Sequence, residues 1–287
     1  WPDVPIELVR RAKARGLVCL REMINSPLAH AKPILDAAYR AAGLPPGHGI
    51  TDAAVAAETE ELGLNDYLFA SNPEVEAALL ALGIPADRIL PTSFGWVKAR
   101  FAGGESSKPA REDRPFRACF VGLMNVRKGV PTLLDAWSKA GIAGELWLAG
   151  AIEPCLRPMV DAAIASGTVR HFGHVDDVAA LYRACDAFVF PTHEEGGPQV
   201  TYEAAACGLP AITTAMGAAR LVEHGKTGLI VQAGDADGLA AALRVLANEP
   251  EFVHRLGHAA RTASARFAYD AVGVERASLL VKAAGGR

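Results

Sequence analysis

The sequence predicts an α/β protein of two Rossmann-like domains, each built on a doubly wound parallel sheet, with the first domain incomplete. From residue 116 onward, six short β-rich runs are each followed by a helical stretch, which is the pattern of a parallel sheet covered by helices. Runs such as FVGL and AFVF are apolar throughout, as expected of strands that are buried on both faces. Before residue 102 the same alternation yields only three strands.

The chain length is consistent with an incomplete first domain. A βαβ unit takes at least ~30 residues and a nucleotide-binding domain has about six strands, so 287 residues are too few for two complete domains. We therefore expect the carboxyl-terminal portion of a longer protein, or a chain trimmed at Trp1, without the opening strands and helices of its first domain.

Residues 1–101 are assigned to this partial domain. In chain order we predict a helix over 6–15, a strand LVCLR, helices over 34–42 and 53–62, a strand YLFAS, a helix over 73–82 and a strand RILP. Residues 102–115 are rich in glycine, serine, proline and charged residues, and we predict that they form the linker.

Residues 116–270 are predicted to form the complete second domain, and residues 271–287 a helical tail. The predicted strands are RACFVG, ELWLAG, TVRHFG, DAFVFPT, PAITT and GLIV. The predicted helices cover 129–141, 155–166, 176–184 and 200–207, with a short one near Leu221 and a long helical run after the last strand.

The composition excludes several classes of protein. With 51% hydrophobic and 21% charged residues, the chain is neither disordered nor a disulfide miniprotein. A net charge of -3 argues against a nucleic-acid partner, which requires a cationic excess. The five scattered cysteines lack CxxC spacing and indicate free thiols in a reducing, cytoplasmic compartment.

A membrane span is not expected, because every apolar run is shorter than the ~20 residues that a spanning helix needs. Basic residues cluster near the amino terminus and could make peripheral contact with anionic lipid, although a solvated helix face is the simpler interpretation. These residues are Arg10, Arg11, Lys13, Arg15 and Arg21.

The most informative segment is residues 193–199, HEEGGPQ, which follows the strand DAFVFP and opens a helix. Ligands of doubly wound sheets bind at this carboxyl edge of the strands. Its glycines leave backbone N–H groups accessible at a helix N-terminus, which suits an anionic or polyhydroxylated ligand. Glu195 and Glu203 could both accept hydrogen bonds from sugar hydroxyls, or could be ordinary residues of a helix start and a solvated helix face.

A second strand, loop and helix start lies in residues 120–134, FVGLMNVRKGVPTLL. Arg127 and Lys128 lie in this loop and suit a diphosphate, one as a planar fork and the other as a point charge. Without further evidence, the two side chains could equally be solvated residues of a surface loop. Their occurrence in the same sheet as the glycine-rich loop favours a shared anion site.

The ordered string of these motifs resembles the GT-B glycosyltransferases of family 4. The string runs from VG…RKG through ADAFVFPT, EEG and EAAACGLP to HGKTGLIV, essentially all of residues 116–267. Glu195 and Glu203 match the family's Glu-x7-Glu signature. Residues 58–96 also resemble the second half of that family's acceptor domain, through ETEEL, DYLFAS, LGIPADRI and PTSFGW.

The resemblance implies a retaining, hexosyltransferase-like enzyme that uses a UDP- or GDP-linked sugar as donor, with no metal and no other cofactor. Arg127 and Lys128 would neutralise the leaving diphosphate near Gly122. Glu195 and the loop Gly196, Gly197, Pro198 and Gln199 would hold the donor sugar, and Glu203 the ribose. Gly173, His174 and Val175 would contact the base. The acceptor, a glycan, small molecule or lipid, is left open.

The sequence departs from the family pattern at two places in the donor site. Leu123 replaces an arginine that often follows the glycine equivalent to Gly122, so Arg127 is expected to substitute for it. The usual EGFG reads EGGP at residues 195–198, which changes the shape of the sugar pocket.

The sequence also contains possible acceptor-side bases and possible metal ligands. An acceptor-side base could come from Glu22, Asn25 or His30, each of which could also be polar loop surface. Asp235 and Asp237 form a DxD string, but their place before a helix predicts capping instead of metal binding. His171 and His174 lack the further ligands of a metal site.

Two alternatives to transfer by this chain remain open. The incomplete first domain is also compatible with a non-catalytic nucleotide or nucleotide-sugar binding module, or with a fragment that binds donor while acceptor transfer is impaired. An epimerase of the same fold would need acid and base side chains across the cleft, and none is well placed.

Overall fold

The computed structural model describes residues 4–103 and 114–285, which form two α/β units. Residues 104–113 of the predicted linker and residues 286–287 of the predicted tail lie outside the described residues. In the described part of the chain, no helix combines the length and apolar character needed to cross a bilayer.

The first unit is a three-stranded parallel sheet in the order β1-β2-β3. Its strands are β1 (Leu20–Met23), β2 (Tyr67–Ala70) and β3 (Ile89–Pro91). Its helices are α1 (Ile6–Ala14), α2 (Leu28–Ala41), α3 (Asp52–Leu64), α4 (Pro73–Ala81) and α5 (Lys98–Phe101), with a 3-10 turn at Ala86–Arg88. The core of this unit is small and is formed by Met23, Leu62, Leu68, Ala70, Val75, Leu79 and Ile89.

Helix α2 begins at Leu28, six residues before the predicted start. The sequence predicted a start at Ile34, directly after Pro33. In the structure Pro33 lies inside the helix. Two carboxylates from distant segments accept hydrogen bonds at the amino end, Glu58 from the N–H of Leu28 and Glu194 from the N–H of Ser26. Non-local partners therefore extend the helix, and no local pattern predicts them.

The second unit contains six parallel strands, in the order β6-β5-β4-β7-β8-β9. The strands are β4 (Phe116–Val121), β5 (Gly144–Ala149), β6 (Val169–His171), β7 (Ala187–Phe190), β8 (Ala211–Thr213) and β9 (Gly228–Ile230). This order is that of a dinucleotide-binding doubly wound sheet, and it reverses between β4 and β7. The predicted α/β class with parallel sheets is confirmed.

The helices of the second unit are α6 (Val130–Ala140), α7 (Arg157–Ala165), α8 (Val178–Ala184), α9 (Gln199–Ala206), α10 (Ala215–Ala218), α11 (Ala236–Asn248), α12 (Pro250–Ser264) and α13 (Tyr269–Gly285), with 3-10 turns at Pro154–Leu156 and Ala265–Phe267. The short helix predicted near Leu221 is α10, which lies earlier because Thr214 caps it by accepting from the N–H of Gly217. The long helical run is three helices, and the last begins at Tyr269.

The two units pack directly against each other. Ala38 and Tyr39 of α2 belong to the same buried core as the second sheet. Trp96, after β3, donates its indole N–H to the Ser264 carbonyl at 2.7 Å, and its backbone pairs with Phe267 and Tyr269. Loops at the carboxyl ends of both sheets are thereby held face to face across a cleft.

Candidate donor-binding site

Three loops meet where the strand order of the second sheet reverses. They follow β4 (residues 122–129), β7 (residues 191–198) and, from the first unit, β1 (residues 24–27). A crevice outside the carboxyl ends of strands at such a reversal is the usual ligand site of a doubly wound sheet.

The loop after β4 is shaped by Gly129 and Asn125. Gly129 has a φ of 71°, and a Cβ there would overlap with the Pro191 carbonyl, so only glycine allows the two loops to approach. The Asn125 side chain accepts from the Lys128 N–H at 2.9 Å and donates to Glu153 at 3.1 Å. These contacts hold Arg127 and Lys128 at the edge of the sheet.

Lys128 is paired with Glu195 across the two loops. Its Nζ donates to Glu195 Oε1, which also accepts from the Thr192 hydroxyl at 3.1 Å. The ammonium lies 5.1 Å from the centre of the buried Phe190 ring, in cation–π geometry. Lys128 therefore points into the crevice and not into bulk solvent.

Arg127 bridges the two units. Its Nε lies 2.8 Å from Glu194 Oε2, and its Nη2 donates to Asn25 Oδ1 at 2.7 Å. Glu195 Oε2 is 3.8 Å from the same Nη2. Two cations and two carboxylates thus converge, and their charges balance.

The sequence did not reveal the contact between Glu194 and Ser26. The Glu194 side chain is 3% exposed, and its Oε1 accepts from both the N–H of Ser26 at 2.8 Å and the Ser26 hydroxyl at 3.0 Å. The doubled Glu194-Glu195 is visible in the sequence, but its partner Ser26 lies 168 residues away. Ser26 itself carries no recognisable signal.

The glycines of the loop after β7 are required by contacts with the first unit. A Cβ on Gly196 would overlap with the backbone of Ile24, and one on Gly197 would overlap with the Phe94 ring. Pro198 immediately precedes α9. Gln199, the first residue of α9, donates to the Tyr269 hydroxyl at 2.5 Å. The EGGP string therefore suits close approach of the two units.

Glycines also line the ends of the three neighbouring strands β4, β5 and β6. Gly122, Gly150 and Gly173 all have positive φ, and the Gly150 N–H donates to the Gly173 carbonyl at 2.7 Å. A Cβ on Gly150 would overlap with the Gly122 carbonyl. The sequence singled out Gly122 and Gly173 but missed Gly150. These three glycines expose backbone at the carboxyl edge of the sheet, in the unit that carries Arg127 and Lys128.

Comparison with known proteins identifies the second unit. Residues 115–249 match the family model described as Glycosyl transferases group 1. These residues are a group 1 glycosyltransferase domain. The match confirms the resemblance drawn from the motifs, and the name "group 1 domain" is used for this part of the chain below.

Among similar curated proteins, a D-inositol 3-phosphate glycosyltransferase of Thermobispora bispora is 29% identical over 231 residues, 77% of this chain and 49% of that protein. The capsular polysaccharide biosynthesis glycosyltransferase CapM of Staphylococcus aureus is 40% identical over 89 residues, 31% of this chain and 23% of that protein. The chain thus spans about half the length of the Thermobispora bispora relative.

Solved structures share the fold. Anabaena Alr3699/HepE, in complex with UDP and glucose, superposes with a TM-score of 0.77 at 17% identity, covering 96% of this chain and 74% of that one. Sucrose-phosphate synthase of Thermosynechococcus elongatus gives 0.74 at 24% identity, covering 88% and 67%. The expected two-unit GT-B arrangement is confirmed.

Glu203 of the group 1 domain lies one turn inside α9, apart from the Arg127 and Lys128 cluster. Among the described residues it makes no hydrogen bond or ion pair with Arg127, Lys128 or Glu195. Burial raises the pKa of its carboxyl group, and the charge of Arg100 opposes that shift. A common ligand for Glu195 and Glu203 remains a prediction.

The turn predicted to contact the base, and the candidate metal ligands considered in the sequence, make local contacts. The His174 side chain is exposed and lies 3.3 Å from Asp176. Val175 packs against the main core. Asp235 caps α11 by accepting from the Gly238 N–H at 2.8 Å, as predicted. Within the described ranges, no three His, Cys, Asp or Glu side chains are grouped as a metal site would require.

Of the acceptor-side candidates, two lie in the cleft instead of on a polar loop surface. Asn25 contacts Arg127, as described above. Glu22 pairs with Arg276 of α13 and accepts from the Ser71 hydroxyl at 3.2 Å. His30 is half-buried near the start of α2.

Proposed function

We propose that the protein transfers a sugar from a UDP- or GDP-linked donor to an acceptor hydroxyl, with retention at the anomeric carbon and without a metal. The observation that carries the proposal is the pairing of Arg127 and Lys128 with the Glu194-Glu195 loop, at the point where the strand order of a group 1 domain reverses.

The charges suit departure of a nucleoside diphosphate. Breaking the anomeric bond places negative charge on the diphosphate and positive charge on the sugar. Arg127 and Lys128 are rooted in one loop and held by Asn125, so they can stabilise that charge without reorganising. A single preorganised donor of this kind contributes about 2.7–4 kcal/mol. Two such cations can do the work for which a metal would otherwise be needed.

Binding of the diphosphate would rearrange the pair Lys128 and Glu195. The Glu195 carboxylate lies beside Lys128, at the place that a phosphate oxygen would take. The diphosphate replaces it, and the freed carboxylate accepts hydrogen bonds from donor-sugar hydroxyls, with the backbone of Gly196, Gly197 and Pro198 beside it. The Glu195 carboxylate thereby exchanges a cation for sugar hydroxyls.

The rest of the donor follows the edge of the sheet. Gly122 and Gly173 leave room for the nucleotide close to the backbone, with His174 and Val175 at the base and Glu203 at the ribose. UDP is the first nucleotide to test, because solved structures of this fold have been obtained with UDP-glucose and with UDP. The acceptor proton would pass to the leaving phosphate oxygen or to a group of the first unit.

The same proposal places the protein in the cytoplasm, with the nucleotide sugar as its donor partner. All five cysteines are free thiols, which suits a reducing compartment.

Binding and donor turnover test the proposal together. Calorimetry should detect UDP or GDP binding, and UDP-glucose or the matching GDP-sugar should release nucleoside diphosphate. Lys128→Ala and Glu195→Ala should each lower turnover by about 100-fold or more, since each removes a group that acts on the developing charge or on the sugar. Lys226→Ala is the matched control, because Lys226 is exposed and pairs with Glu223 away from the cleft.

Wild-type turnover from both variants would overturn the proposal. Nucleotide binding without donor hydrolysis or transfer would instead support the non-catalytic binding module.

A further inference from the structure

We propose that Glu194 is a positioning residue that orients Arg127 and ties the loop after β7 to the loop after β1. This inference rests on the proposed function, because it assigns Arg127 to the leaving diphosphate. Glu194 itself would touch no substrate.

Burial and hydrogen bonding fix the Glu194 carboxylate. The side chain is 3% exposed, and one oxygen accepts two hydrogen bonds from Ser26. A buried carboxylate must be paired to be stable, and here the pairing comes from both units of the protein. The carboxylate therefore has one position, set from across the cleft.

The other oxygen of Glu194 faces Arg127 Nε at 2.8 Å. Arg127 also donates its Nε–H to the Glu194 carbonyl at 3.2 Å. Holding a guanidinium by its Nε edge fixes the plane of the fork while leaving other N–H groups for a ligand. Asn25 of the first unit accepts a hydrogen bond from Nη2, so the first unit also helps to orient the guanidinium.

Glu194 and Glu195 thus have different roles despite being adjacent. Glu195 faces Lys128 and is free to exchange that contact for a ligand, because its other hydrogen bond is to the small Thr192 hydroxyl. The Glu194 carboxylate accepts hydrogen bonds from Ser26 N–H and Ser26 Oγ–H and forms an ion pair with Arg127, so it stays in place when a diphosphate arrives.

The substitution Glu194→Gln separates positioning from simple charge attraction. The glutamine amide can still accept a hydrogen bond from Ser26 through its oxygen. It carries no negative charge, so the ion pair that orients the Arg127 guanidinium is lost. Removing a negative charge beside a diphosphate does not weaken ground-state attraction. We therefore expect the Kd for UDP to stay within roughly threefold or to fall, while kcat for donor turnover drops by about 10-fold or more. Glu223→Gln, at an exposed pair with Lys226, is the matched control.

A double-mutant cycle tests whether the effect passes through Arg127. In an Arg127→Ala background, Glu194→Gln should change kcat by less than roughly twofold. A full loss of turnover in that background, an unchanged kcat in the single variant, or a parallel loss of UDP affinity and thermal stability would each overturn the positioning role.

Two measurements on the ligand-free protein keep the failure of this inference distinct from failure of the proposed function. In nitrogen-15 NMR the Arg127 Nε–H, assigned through Arg127→Lys, should exchange slowly with water in the wild type and rapidly in Glu194→Gln. The Ser26 amide should exchange faster in Glu194→Ala than in Glu223→Ala. Unchanged exchange at both sites overturns the inference, whereas absence of UDP and GDP binding by the wild type overturns only the proposed function.

Discussion

At the scale of single residues, Glu203 combines a cost to stability with a proposed function. Its carboxyl group is half-buried on α9 with no compensating hydrogen bond from the described residues, and this partial burial raises its pKa. A raised folded-state pKa means that the folded protein binds the proton more tightly than the unfolded chain. The stability that this group contributes is therefore complete below the unfolded pKa and is lost as the pH rises through the folded pKa.

Glu203→Gln should consequently be more stable than the wild type at pH 7, with the difference vanishing as the pH falls toward 4.5. The same variant should bind UDP more weakly, since an amide is a poorer acceptor for vicinal ribose hydroxyls than a carboxylate. Urea unfolding at several pH values and calorimetry with UDP measure the two effects. A variant that is stabilised yet binds UDP normally would remove Glu203 from the donor site.

The sequence predicts some residues of the site and cannot predict others, for a physical reason. Arg127, Lys128 and Glu195 follow strands of one parallel sheet, and the carboxyl ends of such strands meet at one edge, so their proximity follows from local patterns. Asn25 and Ser26 approach them only through packing of the two units, across 102 and 168 residues of chain. Pairings of that range have no local signature.

At the scale of elements, α6 is bounded by two left-handed glycines that serve different purposes. Gly129 precedes the helix with a φ of 71°, and Gly141 follows it with a φ of 60°. An added Cβ at Gly141 meets nothing within 4 Å, whereas at Gly129 it overlaps with the Pro191 carbonyl. Backbone strain is common to both positions, but close approach of two loops is needed only at Gly129.

Gly141→Ala should therefore cost about 1 kcal/mol in the free energy of unfolding, the usual cost of a left-handed non-glycine residue. Gly129→Ala should cost clearly more and should also weaken UDP binding, because the loop that carries Arg127 and Lys128 must move away from the loop after β7. Denaturant unfolding and UDP titration of both variants make the comparison. Equal costs at the two positions would show that the loops do not rely on this contact.

Element boundaries show the same limit of sequence reasoning. The strands of the second sheet were predictable because β7 is apolar and buried along its whole length, and most residues of its neighbour β4 are apolar and buried. The start of α2 was not, because its first turn depends on Glu58 and Glu194.

At the scale of the whole molecule, the two units differ in their capacity to fold. The first unit has a separate core of seven buried residues. Four further residues of this unit are buried in the large core of the second unit, namely Ala38, Tyr39, Trp96 and Phe101. A three-stranded sheet with so small a core buries too little apolar surface to offset its conformational entropy. The first unit therefore depends on the second for its stability.

This dependence predicts the behaviour of the separated halves. Residues 1–101 expressed alone should show no cooperative thermal transition and little near-ultraviolet circular dichroism, because Trp96 loses its contacts with Ser264, Phe267 and Tyr269. Residues 114–287 should keep a cooperative transition, since the six-stranded sheet retains its own core. They should bind UDP more weakly than the full chain, because the loop after β7 loses the Ile24 backbone and the Phe94 ring against which Gly196 and Gly197 pack. A cooperatively folded first half would contradict the shared core, and full UDP affinity in the second half would show that the donor site is complete without the first unit.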